Sequence, residues 1–322
     1  MTIYISEGDG LCGTTVLKLL HSLSLSSKMI KYLKYREDGI VVNGERVTVR
    51  YVLSAGDTLS LALDDSSPSE TATPSDIPIE IVYEDDGIIV ANKPPFMPTH
   101  PSHNHHDDTL ANALANYFAK KGFPFVFRPI NRLDRNTSGL VIVAKNKIAA
   151  ARMTLEMKAK RIKKSYIAYL DGALPDPDET VEYMGMTLGV IDKPIHRTAE
   201  SIIVREVCAP DTPDAEEALT YYRILSRSDD CTEVEIFPQT GRTHQLRVHF
   251  ASLGHSIMGD DLYGYECSHI ARHALHAKTL DFDLTSGLGD ELKTTHIRLE
   301  APLPPDMARL RETFFNKGNE NV

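Results

Sequence analysis

Residues 64 to 78, Asp-Asp-Ser-Ser-Pro-Ser-Glu-Thr-Ala-Thr-Pro-Ser-Asp-Ile-Pro, hold a single large apolar side chain in fifteen positions. A stretch that polar cannot bury enough apolar area to offset the entropy of ordering it, so it reads as a linker. It divides the 322-residue chain into a small unit, 1–63, and a large one, 79–322. That length suits one substantial core plus a small extra domain. Hydrophobic content of 42% and charged content of 25% are ordinary for a soluble globular protein. No apolar run approaches the roughly 20 residues of a membrane span. The start, Met1 to Glu7, lacks the basic and apolar regions of a signal peptide. Cys12, Cys208, Cys231 and Cys267 lie far apart with no metal or redox spacing. The expectation is a cytoplasmic protein with reduced thiols and no membrane association.

In the small unit, Leu17, Leu20, Leu23, Ile30 and Leu33 recur at helical spacing. Ser24-Leu25-Ser26-Ser27 breaks the pattern and offers a second cap, predicting two short helices. Gly39 to Val47 follows as a hairpin turning at Asn43-Gly44, and Val52 to Leu61 adds a Gly56-Asp57 turn and a strand. This order resembles the αL RNA-binding module of a ribosomal small-subunit protein over about residues 12–63. The resemblance implies that the second helix presents Lys28, Lys31 and Lys34 to RNA. A structural cap or a protein-docking module would use the same elements.

The large unit opens on strand-like residues 79–92 with a turn at Asp85-Asp86-Gly87. Helical periodicity marks 107–121, capped by Asp107-Asp108-Thr109, and 147–162. Strands are expected at 165–171 and around 198–208, 218–226 and 231–237. Strands mixed irregularly with few helices indicate an α+β architecture.

The segment Pro129-Ile130-Asn131-Arg132-Leu133-Asp134-Arg135-Asn136-Thr137-Ser138-Gly139-Leu140 carries the chemistry. One aspartate stands between two arginines, before a Thr-Ser-Gly turn and the apolar run 140–144. Charges pressed against an apolar strand are costly to desolvate unless paired. Asp134 is therefore either half of a structural ion pair with Arg132 or Arg135, or a reactive carboxylate. The formal charge of −10 argues against nucleic acid as partner, but its distribution does not. Lys145, Lys147, Arg152, Lys158, Lys160, Arg161, Lys163 and Lys164 crowd behind the segment, while acids gather at 64–65, 85–86 and 211–217. A basic face on an acidic chain is compatible with RNA; a merely solvated helix is the alternative.

The segment resembles the Arg-Leu-Asp-x-x-Thr-Ser-Gly signature of pseudouridine synthases of the RluA/RluD type. Ile88 to Pro94 resembles that family's opening strand and Asn-Lys-Pro motif, and Lys164 to Gly172 its Lys-x-Tyr-x-Ala segment. Gln239-Thr240-Gly241-Arg242-Thr243-His244-Gln245-Leu246-Arg247-Val248-His249 resembles a third motif, continued by 254–260 and 274–277. The resemblance spans about residues 80–305. Asn131 departs from it, since the family often has histidine there.

The resemblance implies a catalytic domain with a mixed, mainly antiparallel sheet that isomerises uridine without cofactor or metal. Asp134 would be the nucleophile, Arg247 its partner and Tyr166 a ring stacked on the uracil. The bland alternatives are a strand-surface arginine and a core tyrosine. Arg132 would fill the space left by the base or contact its phosphate, and Leu246 would wall the pocket or belong to ordinary core. Lys93, Arg242, His244 and Gln245 complete the implied substrate-binding set. The implied partner is RNA, ribosomal from the large subunit first and transfer RNA second, bound by a monomer. Two other readings stand beside the enzyme: an RNA-binding ribosome-assembly factor without catalysis, and a metal-dependent hydrolase built on the run His100 to His106.

Overall fold

The computed structural model describes residues 1–63, 72–287, 290 and 292–315. The first unit contains β1 (Thr2–Tyr4), α1 (Val16–Ser22), α2 (Ser27–Tyr35), β2 (Ile40–Val42), β3 (Glu45–Arg46) and β4 (Thr58–Leu61). Thr15 and Ser26 side chains accept from Lys18 and Met29 backbone N–H groups, which caps both helices. The strands form an antiparallel sheet in the order β1-β4-β2-β3. Asn43 (φ 52°) and Gly44 (φ 86°) both adopt the left-handed conformation that a tight hairpin needs. The Asn43 side chain also ties this turn to the next, donating to Asp57 at 2.8 Å and accepting from Thr58 N–H at 2.8 Å.

Val16, Leu19, Leu20 and Leu23 make the inward stripe of α1 and close a core with Ile30, Leu33, Ile40, Val42, Leu59 and Leu61. Leu17, expected in that stripe, is exposed instead. The pattern i, i+3, i+4, i+7 starts at Val16, and the next residue sits about a quarter-turn away.

Of the linker expected over 64–78, residues 64–71 lie outside the described residues. Residues 72–78 run along the second unit. Thr73 C=O accepts from the Asn112 side chain at 2.8 Å, Ser75 N–H donates to Asn112 C=O at 3.2 Å, and Ile77 packs against the main core. Their backbone is thus part of the larger unit despite its polar composition.

That unit is built on ten strands: β5 (Glu80–Glu84), β6 (Ile88–Lys93), β7 (Ser138–Ala144), β8 (Lys163–Asp171), β9 (Thr180–Tyr183), β10 (Met186–Asp192), β13 (Leu219–Arg227), β14 (Cys231–Pro238), β15 (Leu275–Ser286) and β16 (Lys293–Glu300). Their order is β5-β6-β7-β15-β8-β14-β13-β10-β9, with β16 beside β15. β7 and β15 run parallel and the other pairs antiparallel, so the sheet is mixed and mainly antiparallel, in an α+β fold. Both faces of its centre are buried. Ile89, Ala91, Val141 and Val143 face a core shared with α3 (Leu110–Lys120), α5 (Gln245–Ala251) and α6 (Pro305–Phe315). Ile88, Val90, Leu140 and Ile142 face the opposite core, which Met153 of α4 (Lys147–Lys158) helps to cover. A strand buried on two sides reads as a continuous apolar run rather than an alternation.

Helix α4 ends at Lys158, earlier than the periodicity suggests, because Lys160 turns left-handed (φ 58°) to enter β8. Around 198–208, where one strand is expected, a short hairpin stands: β11 (Ile195–Arg197) and β12 (Arg205–Val207).

Candidate active site

The loop from Asn131 to Thr137 is pinned on every side, and the pins explain the residue types. Asn131 mimics a strand backbone: its side chain donates to Leu140 C=O at 3.1 Å and accepts from Ile142 N–H at 2.8 Å. The position where the sequence departs from the family pattern thus braces the loop against β7. Thr137 N–H closes a turn on Asp134 C=O at 3.1 Å, and its hydroxyl pairs with His273 Nε2 at 2.8 Å. Ser138 pairs with His276 Nδ1 at 3.0 Å. Burial lowers the pKa of these histidines to about 3 and about 4, so both are neutral imidazoles. Gly139 (φ 112°) permits the parallel approach of β7 to β15, since a Cβ there would lie 2.1 Å from Ala277 C=O.

Lys93 is wholly buried beneath this loop. Its ammonium donates to the carbonyls of Pro94 (2.9 Å), Met97 (2.8 Å) and Arg135 (3.2 Å). Burial lowers its pKa to about 7, with Asp134 opposing the shift. Lys93 is absent from the lining of the cleft described below, and its bond to the Arg135 carbonyl braces the loop that carries Asp134.

Asp134 projects from the loop with a third of its side chain exposed. Its flanking arginines, Arg132 and Arg135, are exposed, and neither is within ion-pair distance of it. The nearby cation is Arg247, whose Nη1 stands 3.6 Å from Asp134 Oδ2. Arg247 lies on helix α5, not on a strand surface. The other edge of its guanidinium is gripped by Asp260, with Nε to Oδ2 at 2.7 Å and Nη2 to Oδ1 at 2.6 Å. Asp260 in turn accepts from the backbone N–H groups of Leu262 and Tyr263. Burial disfavours both charges of this pair, and their mutual bonds outweigh it: Arg247 is shifted up and Asp260 down. The clamp leaves Nη1 aimed at Asp134. His244 Nε2 completes the surround at 3.9 Å.

These groups stand in a cleft of about 940 Å³. Tyr166 of β8, buried, and Leu246 of α5 form part of its wall, as do Thr99 and His100. Burial, then the charge of Asp134, push the Tyr166 hydroxyl well above its ordinary pKa, so it remains a neutral phenol. Lys158, Lys160, Lys163, Lys164, Arg132, Arg135, Arg242 and Arg247 all line the cleft, and Asp134 is the one carboxylate among its described lining residues. An acidic protein has thus concentrated positive charge around a single anion. Arg242 is anchored at the rim by Glu216 (3.1 Å) and the Glu217 carbonyl (3.0 Å). Gln245 faces inward and shapes the turn before α5: its amide accepts from Thr240 and Arg242 and donates to Leu219 and Thr220.

The expected substrate set therefore separates: Arg132, Leu246, Arg242, His244 and Gln245 line the cleft with Asp134, Tyr166 and Arg247, and Lys93 does not. Lys28, Lys31 and Lys34 lie on or beside α2 in the first unit, where Lys31 and Lys34 border a groove with Leu17, His21 and Tyr35. In the histidine run, His105 pairs with Asp108 at 2.6 Å and His100 packs edge-on against Phe127. Sequence reasoning assigned no role to Asp260, Tyr263 or Arg272. A buried counter-ion thirteen residues from its arginine leaves no periodic trace.

Comparison with known proteins identifies the family. A family profile described as RNA pseudouridylate synthase matches residues 87–252. An uncharacterized RNA pseudouridine synthase of Bacillus subtilis, YjbO, is 35% identical over 92% of this chain and 98% of its own length. The ribosomal large subunit pseudouridine synthase D of Xanthomonas campestris is 33% identical over 84% of this chain and 79% of its own. Among solved structures, human RNA pseudouridylate synthase domain containing 1 superposes with a TM-score of 0.52 at 26% identity, covering 74% of this chain and 95% of that one. With the family's motifs gathered around one cleft and relatives that match nearly end to end, the chain belongs to the RluA/RluD-type RNA pseudouridine synthases and is an RNA-modifying isomerase.

Proposed function

We propose that the chain isomerises uridines in large-subunit ribosomal RNA, with Asp134 as nucleophile. The observation that carries the nucleophile is the lone carboxylate in a cationic cleft, faced by an Arg247 whose other edge is occupied by Asp260. A guanidinium so clamped orients its neighbour without reorganising during the reaction. Asp134 attacks the nucleoside and the glycosidic bond breaks. The uracil turns on the face of Tyr166 and rejoins ribose through C5. Stacking of a base on an aromatic ring is worth roughly 1–3 kcal/mol, which helps offset extrusion of the base from its helix. Bonds are exchanged within one nucleotide and nothing is oxidised, so the chemistry calls for no cofactor. The lysines and arginines of the cleft are suited to the phosphates on either side of the target. The ribosomal substrate is favoured by the relatives named ribosomal large subunit pseudouridine synthase D, such as those of Xanthomonas campestris (33% identical) and Zymomonas mobilis (34% identical).

The test is tritium release from uridine labelled at C5, with unmodified large-subunit ribosomal RNA and transfer RNA as separate substrates. Release from ribosomal RNA by the native protein and none by Asp134→Ala is the expected result. Release from transfer RNA alone would reassign the substrate. RNA binding without release from either would point to the assembly-factor reading.

A further inference from the structure

Isomerisation leaves a proton to be moved. Once uracil C5 has bonded to ribose C1′, C5 carries both the sugar and its original hydrogen. The C5–H bond must break, its electron pair forming C5=C6 while the C6=N1 pair returns to nitrogen, and N1 takes up a proton. One proton leaves carbon and one arrives on nitrogen, so the step consumes no co-reactant. A positioned side chain that accepts such a proton contributes roughly 10²–10⁴-fold to rate.

We infer that His244 is this acceptor: its Nε2 takes the C5 proton, a role that rests on the synthase chemistry proposed above. The base must stand close to the nucleophile, because C5 and C1′ are bonded when the proton leaves. His244 Nε2 lies 3.9 Å from Asp134 Oδ2, in the lining of the same cleft. The imidazole is oriented from behind. Nδ1 is 2.8 Å from Tyr263 Oη, and that oxygen accepts from Arg205 N–H at 2.9 Å. A phenolic oxygen has two lone pairs and can accept from both; in the tautomer whose Nδ1–H donates to it, the Nε2 lone pair faces the cleft, and this is the tautomer the proposal requires. The rings of His244 and Tyr263 meet edge to face at 5.6 Å, which fixes the plane.

The backbone adds a second observation. His244 is left-handed (φ 58°) at the start of α5, and its side chain makes no capping bond there. For a residue other than glycine this conformation costs on the order of 1–3 kcal/mol, and such strain persists where the surroundings hold a side chain for use. Tyr166, the other candidate beside Asp134, is a neutral phenol whose proton is held tightly, which suits stacking rather than accepting a proton.

The charges facing His244 suit the task. Burial, aided by Arg247 of α5 and Arg205 of β12, lowers its pKa and keeps it a free base; Asp134 and Asp260 oppose this, and neutral His273 lies behind. When the sugar has moved to C5, Asp134 is released and can stabilise the new imidazolium.

The experiment uses the full chain on unmodified large-subunit ribosomal RNA tritiated at uridine C5. His244→Ala, His244→Asn and Asp134→Ala are compared with the native protein. Asparagine tolerates the left-handed backbone and keeps an amide facing the cleft, but it takes no proton at neutral pH. Both His244 variants are expected to release tritium roughly 10²–10⁴-fold more slowly at unchanged RNA affinity. Free imidazole is expected to restore His244→Ala, more strongly as pH rises and its neutral form accumulates. Release within about threefold of native in either variant, far short of that loss, would overturn the proposal. So would a defect that imidazole does not relieve, since His244 would then only position its neighbours. An active Asp134→Ala beside slow His244 variants would instead remove the nucleophile reading and leave the proton step standing.

Discussion

Arg247 serves two carboxylates because a guanidinium has two usable edges. One edge is committed to Asp260 in a bidentate pair, and the remaining Nη1 faces Asp134. A lysine ammonium at this position is a point charge and cannot hold both. Arg247→Lys is therefore expected to lower kcat roughly 10²–10³-fold, the scale seen when one preorganised donor is lost from a charged site. KM for RNA should change little, because the lysines of the cleft and Arg132 are untouched. Single-turnover tritium release with the RNA saturating and then limiting separates the two; a variant affected in KM alone would sink this account. The gathering of Asp134, Tyr166 and Arg247 around one cleft was legible in the sequence because motifs carried all three. Motif membership did not distinguish a side chain that lines the cleft from one that props it. Lys93 belongs to the second kind, and the difference rests on its burial, which no local pattern encodes.

Helix α6 is the clearest case of an element whose function lies in what it touches. Its Asp306 forms a paired bond with Arg272, at 2.7 and 3.1 Å, and the Arg272 side chain is fully buried. The same guanidinium donates to Asn136 C=O at 3.0 Å and Ser138 Oγ at 3.4 Å. Helix α6 is thus linked through one residue to the loop that carries Asp134. Burial works against the Asp306 charge and Arg272 outweighs it, so the folded pKa lies below its ordinary value. A depressed carboxylate contributes stability that is present above its unfolded pKa and lost as pH falls through the folded one. Asp306→Asn should therefore cost about 1.5–3 kcal/mol at neutral pH, the worth of hydrogen bonds to a charged group, and progressively less toward acid. Urea unfolding of both proteins from pH 7 to pH 3 checks this, and a difference that does not shrink would refute the linkage. None of this was legible beforehand, since α6 carries no chemical motif and Arg272 falls between the motif segments 254–260 and 274–277. Helix α5 was hidden for another reason. Leu246, Val248 and Phe250 alternate with Gln245, Arg247 and His249, a period of two that suits a strand surface. All six are buried, so the helix has no solvent face to produce a 3.6-residue rhythm. By contrast, the capped helices and the Asn43-Gly44 hairpin were readable because cap and turn chemistry are local, whereas the mixed sheet was implied only by the family resemblance.

Across the whole molecule, charge is sorted rather than balanced. The formal net charge is −10, yet the cleft collects eight lysine and arginine side chains around one aspartate. The first unit repeats the arrangement on a smaller scale. Lys28, Lys31 and Lys34 fall at intervals of three along α2, so they share one side of it, and none is tied up in an ion pair among the described residues. Tyr35 stands exposed at the end of the same helix beside the groove that Lys31 and Lys34 border. The two units touch: Ile148 of α4 packs against the first unit's core, and Asp290 N–H donates to Asp9 C=O at 3.0 Å. A chain held to both surfaces would meet one basic patch at the reaction and another at a distance. Phosphate contacts made away from the chemistry stabilise ground state and transition state alike, which lowers KM without altering kcat. Replacing Lys28, Lys31 and Lys34 together by alanine should accordingly weaken RNA binding and leave turnover at saturating RNA within about twofold of native, as uniform binding requires. It should also flatten the salt dependence. Each phosphate contact contributes about 0.7–0.9 to the slope of log K against log salt, so loss of three would reduce it by roughly 2–3. Affinity for unmodified ribosomal RNA measured across a salt series decides the matter. An unchanged slope would mean that α2 faces no phosphate and that the first unit meets its partner by another surface.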